Sequence, residues 1–341
     1  MKTLTLIVPR LDPRSAWEGT TAAQRSRWPT LARLAGRGAV TARIADSRFD
    51  SLQGAVLESL GLRDAAEAYP SAATMLAGAS GERPAGFWLR AQPIHFAAGL
   101  DRITTVVLKG DARMSAMERT TLAPLLAGHL QSSGLELHHA SEDEWLLRSA
   151  QPLQVQTVTA EFAAANPRAE ILPRGRDAGG LRRLMTELQM LLHEHPVNAS
   201  RQARGVPVIN AIWIHGEGQL AEVKSVPLPD AAGDDPYLRG IYLLHGKAVL
   251  AKPAGAATLL SQVQASSVAI VDSTDVDTLE SQWLVPLSRA LFTGALSKFT
   301  LLLDEWRVTI ERTASFKLWR RDLPPTDWPP TDWPPTDEAV C

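Results

Sequence analysis

Residues 268–303 carry the pattern that most restricts what this chain can fold into. An apolar run at 268–272 is followed by a helical stretch at 277–292 and a second apolar run at 298–303. Strand, helix, strand in that order is a crossover unit, and such units build parallel strands covered by helices. The fold class expected is therefore α/β, a mixed sheet flanked by helices. Pro286 inside the helical stretch predicts a kink, because proline removes a donor and crowds the preceding turn.

The rest of the chain fits this class. Residues 3–8 (TLTLIV), ended by Pro9, read as a first strand, and 29–34 and 51–60 as helices. Residues 77–86 are turn-rich, and 103–108 (ITTVVL) form a strand. Ser115 and Glu118 have the spacing of a capping box at the start of a helix over 115–130. Residues 135–138 and 145–148 read as two paired strands. Leu181, Leu184, Met185, Leu188, Leu191 and Leu192 mark one buried helical face, which Pro196 ends. A buried strand is expected over 206–214, closed by Gly216, Glu217 and Gly218, and 228–236 read as a loop. We expect one α/β domain over 1–321, with a subdomain around 110–175. Residues 324–328 and 329–333 are identical Pro-Pro-Thr-Asp-Trp copies, and 334–338 repeat them with Glu338 in place of tryptophan. Paired prolines favour extended backbone, so residues 322–341 are expected to be a disordered tail outside the fold.

Composition narrows the function classes. The 35 basic and 37 acidic side chains nearly balance, so nothing gives a strong nucleic-acid signal. Only seven of the basic residues are lysine, and the arginines are scattered without interleaved aromatics. The single cysteine, Cys341, excludes an internal disulfide and a cysteine zinc cage. No apolar run approaches the ~20 residues of a membrane span, and residues 1–9 lack a secretory pattern. The expectation is a soluble, cytoplasmic protein without membrane association.

No motif settles a chemistry. His193 and His195 are two apart, about 200° around a helix, so they cannot chelate one ion from a helical face. Gly216, Glu217 and Gly218 imitate a dinucleotide fingerprint, but Pro227 and Pro229 forbid the helix that would have to follow, leaving a tight turn. Asp272, Asp275 and Asp277 fit a turn and a helix start better than a cation site. No cofactor or metal is therefore expected. Two polar-rich segments stand out: 87–102, with Arg90, Gln92, His95 and Asp101, and 187–213, with Glu187, Gln189, His193, Asn198, Arg201, Asn210 and Trp213. Buried polar groups need partners, so these form either a fixed network or a small-molecule pocket.

At these segments the chain resembles a known group. Residues 87–95 (FWLRAQPIH) resemble a WLRADPVH-type motif. Residues 187–198 (ELQMLLHEHPVN), with Arg201, Arg204, Gly205, Asn210 and Trp213, resemble the NE-QMLLH-HPVN, RE-RG, NS-WLWGGG run of the bacterial RpfE-type regulatory proteins, named for regulation of pathogenicity factors. Residues 318–321 (LWRR) resemble their WRR ending. The resemblance runs from about residue 4 to 321. It implies a cytosolic α/β protein of regulatory type, distantly related to cofactor-independent phosphoglycerate mutases of the alkaline-phosphatase-like superfamily. That link implies two divalent metals, a serine nucleophile and clustered Asp and His ligands, whose motifs are not recognisable here. The chain also departs from its group at Gln92, Thr186, Gln202, Ala211, His215 and Glu217. The resulting expectation is a regulatory protein that binds an unknown small molecule or protein partner through Arg90, His95, Asp101, Glu187, Gln189, His193, Asn198, Arg201, Asn210 and Trp213. The alternative is a diverged metal-dependent phosphoglycerate mutase or phosphatase-like enzyme.

Overall fold

The structure is a computed structural model that describes residues 2–14, 29–43, 46–98, 103–139, 144–271 and 276–329. In chain order the strands are β1 (Lys2–Val8), β2 (Ala39–Ala42), β3 (Phe87–Ala98), β4 (Ile103–Val107), β5 (Leu135–His139) and β6 (Trp145–Ser149). They continue with β7 (Ala211–Gly218), β8 (Asp230–Ala232), β9 (Ser266–Ile270), β10 (Leu296–Leu303) and β11 (Trp306–Glu311). The main helices are α1 (Pro29–Arg37), α2 (Ser51–Ser59), α3 (Ser71–Ser80), α4 (Ala116–Ser132) and α5 (Ala160–Ala165). They continue with α6 (Ala178–His193), α7 (Pro196–Ala203), α8 (Pro236–Leu244), α9 (Ala256–Gln262) and α10 (Val285–Thr293). Among the described residues no helix is long and apolar enough to cross a membrane.

The chain divides into two compact units. Unit 1 comprises Met1–Ala45, Ser51–Asp64 and Lys224–Cys341, and unit 2 comprises Asp46–Asp50 and Ala65–Val223.

Unit 1 is built on a six-stranded sheet in the order β2-β11-β10-β1-β9-β8. β1 runs parallel to both β10 and β9, with Leu6 beside Leu301 and Ala269. β11 and β2 close one edge in antiparallel pairing. The crossover read from 268–303 is present, with β1 lying between its two strands. Leu4, Leu6, Val8, Phe299, Leu301, Leu303, Val308 and Ile310 alternate onto one face, where Leu31, Leu34, Leu259, Leu287 and Leu291 cover them. The kink expected at Pro286 takes the form of a π-helical turn at Leu279–Leu284, directly before α10. Pro286 then occupies the first turn of α10, where its missing donor costs nothing.

The first tail repeat is not outside the fold. Pro325–Asp327 form a short 3₁₀ turn, and Trp328 is 3% exposed within the unit 1 core. A buried indole of that size outweighs the extended preference of its prolines. Residues 330–341 lie outside the described residues.

Unit 2 holds an antiparallel sheet with β3 at its centre. β7 pairs with one edge of β3, while β6 and then β4 pair with the other, and β5 lies outside β6. One face of the sheet places Leu89, Trp145, Leu147, Ile212 and Ile214 against Leu122 and Leu126 of α4 and Leu184 and Leu188 of α6. The opposite face has Trp88 and Leu146 packed with Ala72 and Ala73 of α3. The strands at 135–138 and 145–148 pair as read, and Ser115 and Glu118 form a complete capping box. Three expectations change. α3 extends through Ser80 into the stretch read as turns. Pro196 does not merely end α6: it opens α7 at a first-turn position, with His195 as the capping residue. The strand expected over 206–214 starts only at Ala211, because side chains take up the preceding backbone: Arg201 Nε bonds the Pro207 carbonyl, and Asn198 bonds Ile209.

Candidate functional site

In open α/β sheets the carboxyl ends of parallel strands converge on one edge, and ligands bind beyond that edge. In unit 1 this edge follows Val8 on β1 and Leu303 on β10. Two non-glycine residues there have left-handed backbone, Arg10 at φ 63° and Asp304 at φ 21°. Each costs free energy that ordinary turns avoid, and such strain concentrates at functional sites. The two are joined, since Arg10 N–H donates to Asp304 Oδ1 at 3.0 Å.

Ser51, in the first turn of α2, completes the arrangement. Its hydroxyl donates to the Asp304 carbonyl at 2.9 Å and lies 3.5 Å from Asp304 Oδ1. The Arg43 guanidinium donates to the same hydroxyl at 3.2 Å, to the Ser51 carbonyl at 3.0 Å and to the Asp304 carbonyl. Arg43 is itself anchored by Glu58 Oε2 at 3.3 Å. Burial lowers the Arg43 pKa from its ordinary value, and Glu58 opposes that shift. Glu58 also accepts from Arg307 at 2.5 Å and faces Arg63 at 3.9 Å. The arrangement holds one hydroxyl in a fixed direction at a helix start with positive charge beside it, which suits an anion.

Among the described residues the donors do not fit a divalent metal pair. Among the described residues no three His, Cys, Asp or Glu side chains are placed to hold one ion. Asp304 is committed to Arg10 N–H, and Glu58 is surrounded by arginines, so neither offers an open carboxylate. Asp272 and Asp275 lie outside the described residues, and Asp277 sits in the first turn of a short helix.

The residues singled out from sequence belong to unit 2 and do not converge. Asn198 is a staple: its amide donates to the Leu192 and Ile209 carbonyls at 2.9 Å each and accepts from Ile209 N–H at 2.8 Å. Arg201, fully buried, pairs with Glu118 Oε2 at 2.9 Å and bonds the carbonyls of Pro207 and Ala112. Burial opposes the Glu118 charge, but the Ser115 N–H with Arg201 and Arg204 holds its carboxyl below the usual range. Asn210 pairs with the backbone of Phe96 at 2.7 and 2.9 Å, and His95 Nδ1 lies 3.1 Å from the Val208 carbonyl. Trp213 donates its indole N–H to Val158 at 2.7 Å. Glu187 on α6 meets Arg183 one turn earlier and His129 of α4, Gln189 is half-buried on α6, and His193 is exposed at its end. Asp101 lies outside the described residues.

Arg90 enters a second charged cluster, apart from that of Arg201 with Glu118 and Arg204. It makes a bidentate pair with Glu144 at 2.8 and 2.9 Å and donates at 3.0 Å to both Asp50 and Ser71. Burial opposes its charge, yet Glu144 and Asp50 prevail and raise its pKa. Glu144 is raised by burial, against the pull of Arg90. Beside Arg90 in register sits His215, fully buried, with neither ring nitrogen hydrogen-bonded among the described residues. Burial and the Arg90 charge hold His215 far below 6.5, so it is neutral. The Gly216-Glu217-Gly218 stretch is the end of β7, not a free turn: Glu217 accepts from Thr157 N–H at 3.0 Å and from its hydroxyl. Gly216 has φ 68°, and a Cβ there would lie 3.1 Å from Arg90 Cδ, so only glycine fits against the cluster.

Sequence reasoning missed Ser51, Arg43, Arg10 and Asp304. Ser51 read as an ordinary helix start, and no local signal links it to a residue 253 positions away.

No protein-family model matches the chain. Over 85 residues it is 36% identical to the 2,3-bisphosphoglycerate-independent phosphoglycerate mutase of Methanothrix thermoacetophila. That match covers 25% of this chain and 19% of the relative, so it spans about a fifth of the relative's length. Among solved structures, the cofactor-independent phosphoglycerate mutase from Thermoplasma acidophilum is similar at 16% identity and TM-score 0.40, covering 93% of this chain and 96% of that one. The PH0037 protein from Pyrococcus horikoshii is similar at 16% identity and TM-score 0.43, covering 91% and 87%.

Proposed function

We propose that this is a diverged phosphoglycerate-mutase-like protein of the cytoplasm that binds a small phosphorylated carboxylic acid at the carboxyl end of the unit 1 sheet. One observation carries the reading: the Ser51 hydroxyl is fixed at the start of α2 between the Arg43 guanidinium and Asp304. An oxyanion arriving there meets the positive end of a helix dipole together with the charge of Arg43. The strained pair Arg10 and Asp304 supports a functional rather than an architectural role for this edge. The 85-residue match to a phosphoglycerate mutase supports the ligand class. The RpfE-type resemblance favours a regulatory outcome of binding, because Arg90, Asn198 and Arg201, among the residues that carry it, are spent on bonds inside unit 2.

Titration calorimetry with 3-phosphoglycerate tests the proposal. The wild-type chain is expected to bind, with the Ser51 hydroxyl turning its one proton from the Asp304 carbonyl to the oxyanion, and Ser51→Ala to bind about tenfold more weakly for want of that charge-assisted hydrogen bond. Absence of binding, or equal affinity in Ser51→Ala, contradicts it. A coupled mutase assay on the same protein separates turnover from binding alone.

A further inference from the structure

The tail repeat gains meaning from where its first copy sits. Pro325 and Trp328, three residues apart, face inward, while Thr326 and Asp327 face solvent. The Trp328 ring meets Trp306 edge-on at a centroid distance of 5.4 Å, and its indole N–H donates to the Leu323 carbonyl at 3.1 Å. Arg14 forms the rim: its guanidinium lies 4.6 Å over Trp306 and bonds the carbonyls of Trp328 at 2.6 Å, Pro329 at 3.0 Å and Pro325 at 3.4 Å. Every polar contact this socket makes with the segment is to its backbone or its indole, and the apolar contacts read one proline and one tryptophan.

We propose that this socket on unit 1 is a recognition site for a Pro-Pro-x-x-Trp segment, and that it accepts the second copy, residues 329–333, as readily as the first. The second copy presents the same side chains in the same order, with Trp328 preceding it where Leu323 precedes the first. Shifting by five residues sets Trp333 where Trp328 sits and leaves a short loop behind it. Such a loop costs little, because closure entropy grows only slowly with length. Arg14 meets backbone carbonyls in either register, so it does not distinguish the copies. Glu338 stands where the third copy would need tryptophan, and a carboxylate cannot enter a dry aromatic socket. The tail therefore carries two keys and one blank for one lock, and a segment of the same chemistry can fill the lock from outside.

Thermal unfolding of three full-length variants decides this. Trp328→Ala and Trp333→Ala are each expected to melt within roughly 2 °C of the parent, because the intact copy fills the socket. The double variant is expected to lose roughly 5–10 °C, the consequence of an empty tryptophan site. Adding a Leu-Pro-Pro-Thr-Asp-Trp peptide at millimolar concentration to the double variant is expected to restore melting temperature in a dose-dependent manner. Three results overturn the proposal: a Trp328→Ala variant as unstable as the double, a double variant as stable as the parent, or no response to the peptide.

Discussion

Replacing Arg90 with methionine keeps an unbranched apolar stem but removes the guanidinium and its charge from the unit 2 cluster. The side chains of Arg90 and Glu144 are 8% and 5% exposed, so both ions have left water and depend on one another. Removing one partner from such a pair costs about 3–5 kcal/mol, because the remaining charge is buried alone. Arg90→Met should therefore lower the unit 2 transition in urea by that amount at pH 7.5, followed through tryptophan fluorescence with the unit 1 transition as an internal reference. Burial holds the Glu144 carboxyl above its ordinary range, so folding favours its protonated form and stability is lost as pH rises through the folded-state value. Without Arg90 that value rises further, and the deficit should shrink on acidification. Adding Glu144→Leu to Arg90→Met should recover most of the loss, since an apolar pair of similar volume is about neutral. A deficit independent of pH, or losses that add in the double variant, would refute the view that this pair is held together by mutual desolvation.

Three further outcomes follow from the same chemistry. Because His215 is held neutral well below 6.5, the unfolded chain takes up a proton that the folded chain refuses, so stability should fall by up to about 1.4 kcal/mol per pH unit below 6.5. His215→Leu should remove that slope in urea melts between pH 4.5 and 7. Asn198→Ala strips the Ile209 N–H and carbonyl of their side-chain partner, while the Leu192 carbonyl keeps the His195 N–H, and should cost about 2–4 kcal/mol in chemical denaturation; an exposed control such as Gln202→Ala should cost almost nothing. Ser115→Ala breaks the capping box of α4 and should cost about 1 kcal/mol by the same measurement.

These residues also show what a sequence discloses. Ser115 and Glu118 are three apart, and the stripe on α6 repeats within one helix, so local spacing is enough to place them. The β9–α10–β10 crossover is likewise a local pattern of apolar periods. β3 was harder: Arg90 and Gln92 interrupt its apolar run, and their burial makes sense only once Glu144, Asp50 and Glu161 arrive from elsewhere in the chain. The polar segments are dense in hydrogen-bonding groups, and Asn198, Arg201, Asn210 and Trp213 bond backbone groups. The candidate site hid for the opposite reason. Arg10, Arg43, Ser51 and Asp304 are ordinary residues until parallel pairing of β1 with β10 brings the two strand ends together. Trp328 reads as part of an unconstrained repeat because the partner that buries it, Trp306, lies on β11, outside the tail.

Hydrogen–deuterium exchange with and without saturating 3-phosphoglycerate tests the central claim most directly, because it reports where binding occurs as well as whether it does. The account predicts slower exchange confined to the residues after β1, the first turn of α2 and the turn at Asp304, with unit 2 unchanged. Protection centred on Arg90 and His215, or no protection at any ligand concentration, would contradict it.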